Sequence, residues 1–218
     1  MRVLPRGERA VEEAFYSLLE PNSVVYDIGA NIGWYSLLAA RVVGPGGGVI
    51  AFEPSLANAA MVQANAAGNG LENVTVIPAA VSDRDGWATF LGRGSLEGRL
   101  DKDDTQAQAE RRANRKWTHD SSAMVPVLTL DSWISSTGSE PPAVIKIDVE
   151  GAELGVLRGM AETLRSAGPA MIVELHGTGK EVADFLDEIG YEHAPLEVDA
   201  PTRDAPWWVH VLARPAGG

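Results

Sequence analysis

Residues 24–36 read Val24-Val25-Tyr26-Asp27-Ile28-Gly29-Ala30-Asn31-Ile32-Gly33-Trp34-Tyr35-Ser36, and a change of period inside this run decides the architecture. Strand-forming apolar residues stop at Asp27, two glycines flank Asn31, and apolar residues then resume at helical spacing. That pattern predicts strand, tight turn, helix. Gly29 and Gly33 carry no Cβ to hold a ligand off the backbone, and the first turn of the helix offers unpaired amide donors. A ligand can therefore lie against the main chain.

Two ligand classes use such a turn. A dinucleotide site wants G-x-G-x-x-G, whose second glycine lets the pyrophosphate approach. Here that position is Asn31, Trp34 replaces the third glycine, and Asp27 precedes the first. An acid there opposes a phosphate but attracts a cation, so the turn suits a ligand bearing an ammonium or sulfonium. S-adenosylmethionine carries both, together with a ribose diol. Glu53 follows the second apolar run, Val49-Ile50-Ala51-Phe52, where its carboxylate can accept both ribose hydroxyls.

The chain has 218 residues and no cysteine, which excludes disulfides, zinc thiolates and thiol nucleophiles. Its length fits one domain, residues 1–218, able to bury an ordinary core. A net charge of -12 opposes general binding to a phosphate backbone. A small molecule is the expected partner, with no nucleic acid. No apolar run approaches the roughly 20 residues that span a bilayer, so no membrane contact is expected and the cytoplasm is the default compartment.

Along the chain, Glu8 to Leu19 predicts a helix through Val11, Phe15 and Leu18 or Leu19, ended by Pro21-Asn22. Trp34 and Tyr35, at helical spacing with Leu38, read as core. Pro54-Ser55 opens an alanine-rich helix to about Ala67, and Val74 to Ile77 is a third strand. Ala80 and Val81 follow it, where an adenine would lie. Trp87 to Leu91 predicts an extra strand pairing with Met124 to Leu128. Between them, in an insertion of about 93–123, Arg93 to Trp117 carries seven basic and five acidic residues, a local charge of +2. It reads either as a mobile substrate lid or as a solvated loop and short helix. Ala143 to Asp148 and Ala170 to Leu175 are strands four and five. Gly151 to Met160 and Lys180 to Ile189 are helical, and Tyr191 to Ala194 and Trp207 to Ala213 are the last strands. Trp207-Trp208 reads as sheet packing. Strands alternating with helices imply an α/β fold, a parallel sheet covered on both faces.

Taken together, Val25 to Gly33, Phe52-Glu53-Pro54, Thr129-Leu130-Asp131 and Ile145-Lys146-Ile147-Asp148-Val149-Glu150-Gly151-Ala152-Glu153 resemble the FkbM family of S-adenosylmethionine-dependent methyltransferases. The similarity runs from about Val24 to His176. It implies a class I methyltransferase fold, a Rossmann-like three-layer sandwich whose seven-stranded, mostly parallel sheet ends in an antiparallel strand. It also implies O-methylation of hydroxyls on sugars, polyketides and related natural products. Asp27, Gly29, Asn31 and Gly33, with Ala30 in the same motif, would line the methionine part of the cofactor. Glu53, followed by Pro54, would hold the ribose, and Ala80 and Val81 would contact the base.

Methyl transfer from a sulfonium needs an acceptor oxygen held behind the methyl carbon and a group to take its proton. Asp148 and Glu150 leave the fourth strand and Glu174 and His176 the fifth, at the carboxyl ends where ligands of open parallel sheets bind. His176 is the preferred general base. Asp148 would position the cofactor's amino group or the acceptor, and Lys146 would pair with one of the acids. The alternative reading has the acids as helix caps or as partners of Lys146, and His176 as the start of a turn. His119, His193 and His210 are assigned no role. A second arrangement has Asp148, Glu174 and His176 holding a magnesium-like cation, ranked below metal-free chemistry. A cofactor-binding protein without catalysis is a competing reading. A nicotinamide oxidoreductase is disfavoured by Asp27 and Asn31.

Overall fold

The computed structural model describes residues 6–93, 97–100 and 122–217. Most of the basic segment Arg93 to Trp117 lies outside them, as does His119. Helix α1 (Arg6–Leu18) precedes β1 (Val24–Ile28), α2 (Trp34–Val43), β2 (Gly48–Phe52), α3 (Leu56–Gly68) and β3 (Val74–Ile77). Then come β4 (Ala80–Val81), β5 (Gly86–Arg93), β6 (Glu97–Leu100), β7 (Ser122–Leu128) and α4 (Leu130–Thr137). The chain continues through β8 (Val144–Ile147), α5 (Glu153–Arg158), α6 (Ala161–Ala167), β9 (Ala170–Glu174), α7 (Gly179–Glu188), β10 (Tyr191–Pro195) and β11 (His210–Pro215). Among the described residues no helix is long and apolar enough to cross a membrane.

Seven strands form the main sheet in the order β10-β11-β9-β8-β1-β2-β3. The pairs from β9 to β3 are parallel, and β11 runs antiparallel to both neighbours, β9 and β10. The expected seven-stranded sheet with an antiparallel last strand is borne out. Period-two alternation divides its core. Tyr26, Ile28, Ile145, Ile147, Met171 and Val173 pack on one face, beneath α5 and α7. Val25, Val49, Val144 and Ile172 face the other way, onto Val11 and Phe15 of α1 and onto Ala39, Ala40 and Val43 of α2.

Four further strands make a smaller sheet, β4-β7-β5-β6. The pairing of Trp87–Leu91 with Met124–Leu128 is present and antiparallel, with Thr89 opposite Met124. The strands β4 and β6 extend it. Gly151–Met160 is not one helix: α5 ends at Arg158 and α6 starts afresh at Ala161. Asp131 caps α6, its carboxylate accepting from the Glu162 and Thr163 amides at 3.0 and 2.9 Å.

Three aromatic assignments are corrected. Trp34 is 61% exposed, because the buried stripe of α2 runs through Ser36, Ala39, Ala40 and Val43 and leaves Trp34 on the far side. Its indole Nε1 donates to Glu12 Oε1 at 2.8 Å. Trp207 and Trp208 precede β11, which starts at His210, and they are exposed rather than packed on the sheet.

Candidate active site

The turn after β1 is built as its glycines require. The Gly29 and Ala30 amides both donate to Phe52 O, at 2.9 and 3.1 Å. Gly29 has φ +81, and a Cβ there would collide with the Asp148 carbonyl oxygen, so only glycine fits between the ends of β1 and β8. Asn31 is left-handed, with φ 52, and its amide donates to Glu53 Oε2 at 2.8 Å. The Ser55 amide donates to Glu53 Oε1 at 2.8 Å. Burial raises the Glu53 pKa, and these two amides pull it back.

A cavity of about 230 Å³ opens over this turn. Gly29, Asn31, Glu53, Pro54, Ala80 and Val81 line it, and so do Asp148, Glu150 and Glu174 at one end and Phe90. The expected cofactor residues Asp27, Ala30 and Gly33 do not line it. Alternation along β1 sends the Asp27 side chain beneath the turn, where Ser36 Oγ donates to its Oδ2 at 2.5 Å and burial raises its pKa. Ala30 packs with Ala51 and Val62, and Gly33 lies tight against Leu37 and Val62. These three hold the turn rather than form its lining.

Alternation also explains the neighbouring polar cluster. Lys146 and Asp148 are two residues apart, as are Glu174 and His176, and the parallel register sets Lys146 beside Ile172, one alternation before Glu174. All four expected groups meet there. His176 Nε2 lies 3.9 Å from Asp148 Oδ1, 3.9 Å from Glu150 Oε1 and 3.7 Å from Glu174 Oε1. Lys146, 1% exposed, faces two acids rather than one, with Nζ 3.8 Å from Asp148 Oδ2 and 3.9 Å from Glu174 Oε2. Its ammonium also lies 5.2 Å from the centre of the Tyr35 ring.

The charges in the cluster diverge. Desolvation, with Glu174 beside it, pushes the Asp148 carboxyl up to about 6. Glu174 is desolvated too, but the His210 hydrogen bond and the Lys146 charge hold it down at about 2. For His176, burial is outweighed by the Glu153 hydrogen bond and charge, so its pKa lies above 6.5.

Sequence reasoning passed over His210, Glu197 and the contacts of Glu153. His210 lies opposite Glu174 in the antiparallel β11–β9 pair and places Nε2 3.0 Å from Glu174 Oε2 and Nδ1 2.7 Å from Glu197 Oε1. No local pattern announces a contact made across an antiparallel strand. His193 is held by Thr202 Oγ1 at 2.8 Å and Asp187 Oδ1 at 3.1 Å.

A parallel sheet with one antiparallel strand near its edge, a glycine turn under a cavity and a strand-end glutamate over that turn define the class I methyltransferases. The FkbM methyltransferase from Methylobacillus flagellatus KT superposes with a TM-score of 0.56 at 17% identity, over 92% of this chain and 50% of that one. The family profile of the methyltransferase FkbM domain matches residues 27–193, and the chain belongs to this family. The hexuronic acid methyltransferase AglP of Haloferax volcanii is 29% identical over 84% of this chain and 69% of its own length. The 2-O-methyltransferase NoeI of Sinorhizobium fredii is 30% identical over 73% of this chain and 67% of its own.

Proposed function

We propose that this methyltransferase uses S-adenosylmethionine to methylate a hydroxyl on a small acceptor of the sugar or natural-product type. The observation that carries the reading is the cavity that runs from Glu53 to Asp148, Glu150 and Glu174, with His176 Nε2 beside its acidic end. The residues suit that cofactor. Asn31 Oδ1 is buried without a hydrogen-bond partner in the described structure, so it wants a donor such as an ammonium. Each Glu53 oxygen accepts one backbone amide, the Asn58 side chain adds a third donor, and the carboxylate keeps acceptor capacity for a ribose hydroxyl. Ala80, Val81 and Phe90 offer an apolar wall for a base. When bound, the cofactor supplies an electrophilic methyl group on a good leaving sulfur. His176 takes the acceptor's proton at Nε2, and Asp148 and Glu174 orient the hydroxyl. Lys146 keeps the two acids from repelling each other. The names of two relatives, a hexuronic acid methyltransferase and a 2-O-methyltransferase, support a hydroxyl acceptor of the sugar type.

Incubation with S-adenosylmethionine and a panel of glycosides should yield S-adenosylhomocysteine and a methyl ether in equal amounts. Calorimetry should show heat with S-adenosylhomocysteine and none with a nicotinamide dinucleotide; the reverse would overturn the cofactor. Tight binding with no methylation of hydroxyl, amine or carboxyl acceptors would establish a binding protein instead.

Glu53→Gln tests the ribose placement. A glutamine must turn its NH2 toward one of the two backbone amides, losing a charge-assisted acceptor worth about 1.5–3 kcal/mol. S-adenosylhomocysteine should bind roughly 10-fold weaker or worse. Unchanged affinity would move the ribose elsewhere.

A metal-assisted variant has its own observation: Asp148, Glu174 and His176 can each offer a ligand atom within 4.8 Å of the others. Lys146 already brings a positive charge to two of the three, which favours the metal-free reading. Activity should survive a chelator. Loss on chelation with recovery on adding magnesium would reverse that order.

A further inference from the structure

We infer that Glu153 is the positioning residue that keeps the His176 proton on Nδ1, so that Nε2 faces the acidic end of the cavity as a free acceptor. The inference rests on the reading of His176 as the base. Glu153 is fully buried at the start of α5, and its carboxylate is met by three donors. His176 Nδ1 at 2.8 Å and the Gly151 amide at 2.7 Å reach Oε1, and Thr178 Oγ1 at 2.8 Å reaches Oε2. An ionised carboxylate only accepts, so the imidazole nitrogen against it must carry hydrogen. The tautomer of a histidine is set by the bond its other nitrogen makes.

The far side of the ring is different. Asp148, Glu150 and Glu174 stand 3.7–3.9 Å from Nε2, too far for hydrogen bonds, so none of the three occupies that nitrogen. His210 makes the contrast. Glu197 holds its Nδ1 in the same way, but Glu174 occupies its Nε2 at 3.0 Å, so no acceptor can use it. Of the two buried glutamate–histidine pairs among the described residues, only Glu153–His176 leaves a ring nitrogen with no carboxylate at hydrogen-bond distance.

A purely structural Glu153 would tie the loop after β8 to the loop after β9 and leave the ring indifferent. Nitrogen-15 NMR of histidine-labelled protein separates the two roles, with His176 assigned by its loss in His176→Asn. Well above the His176 pKa, the wild-type ring should show a protonated Nδ1 and a bare Nε2. Glu153→Ala should move the proton to Nε2 and cut kcat on the order of 100-fold or more, with S-adenosylhomocysteine affinity held. Glu153→Gln should largely restore both. The Gly151 amide demands an oxygen where Oε1 stood, so the glutamine still offers Nδ1 an acceptor.

A wild-type ring protonated on Nε2, or a Glu153→Ala enzyme that loses activity with the Nδ1 tautomer intact, would overturn the inference. If Glu153→Ala does not fold, the wild-type spectrum decides. The spectrum needs no acceptor, so a wrong acceptor class cannot be mistaken for a wrong tautomer.

Discussion

His176→Ala should lower kcat by roughly 10²–10⁴, the usual worth of a positioned general base, while S-adenosylhomocysteine binds as before. The ring lies beside the acidic end of the cavity and not in its lining, so removing it takes away a proton acceptor and no cofactor contact. The pH dependence carries the same test. His176 must be neutral to take a proton, and its pKa lies above 6.5, so kcat should rise with pH through a midpoint above 6.5. That midpoint should vanish in the variant. Were it to persist, the base would be another group, with Asp148 at about 6 the nearest.

The stability consequence runs the other way. Protonated His176 is favoured by the fold, so its contribution is full below 6.5 and lost as pH rises through its folded pKa. Asp148, also raised, acts in the same direction, its stabilising proton leaving between about 4 and about 6. The base therefore switches on in a range where its own contribution to stability declines.

Lys146→Met should be the most destabilising single change in the site. Methionine fills similar space but removes the ammonium that Asp148 and Glu174 share, with the buried Asp27 beside them, and leaves His210 against Glu174 alone. Breaking a buried pair from one side costs about 3–5 kcal/mol. For a chain of this size that lowers Tm by roughly 6–20 °C. The loss should shrink as pH falls through about 6, because a protonated Asp148 no longer needs the ammonium. Thermal melts at pH 5 and pH 8 check this. A variant melting within two or so degrees of wild type at both would show that Lys146 does not compensate the acids.

Sequence alone determined the parts of this protein that depend on near neighbours. Alternating strand and helix periods set the parallel sheet, and glycines at 29 and 33 set the turn. Glu53 at the end of its strand set one wall of the cavity. Residues two apart on a strand share a face, so Lys146 with Asp148 and Glu174 with His176 were bound to emerge together. The exposure of Trp34 was legible in principle, since it lies off the stripe through Ser36, Ala39, Ala40 and Val43.

Tertiary structure alone decided which partner each charged group found. Asp27 went to Ser36 because β1 packs that face on α2. His210 reached Glu174 because the antiparallel last strand entered the sheet beside β9 in one particular register. Glu153 met His176 because the loops after β8 and β9 close on each other. These contacts join residues distant in the chain, and burial makes their pairing obligatory without saying, in any local pattern, which pairs will form.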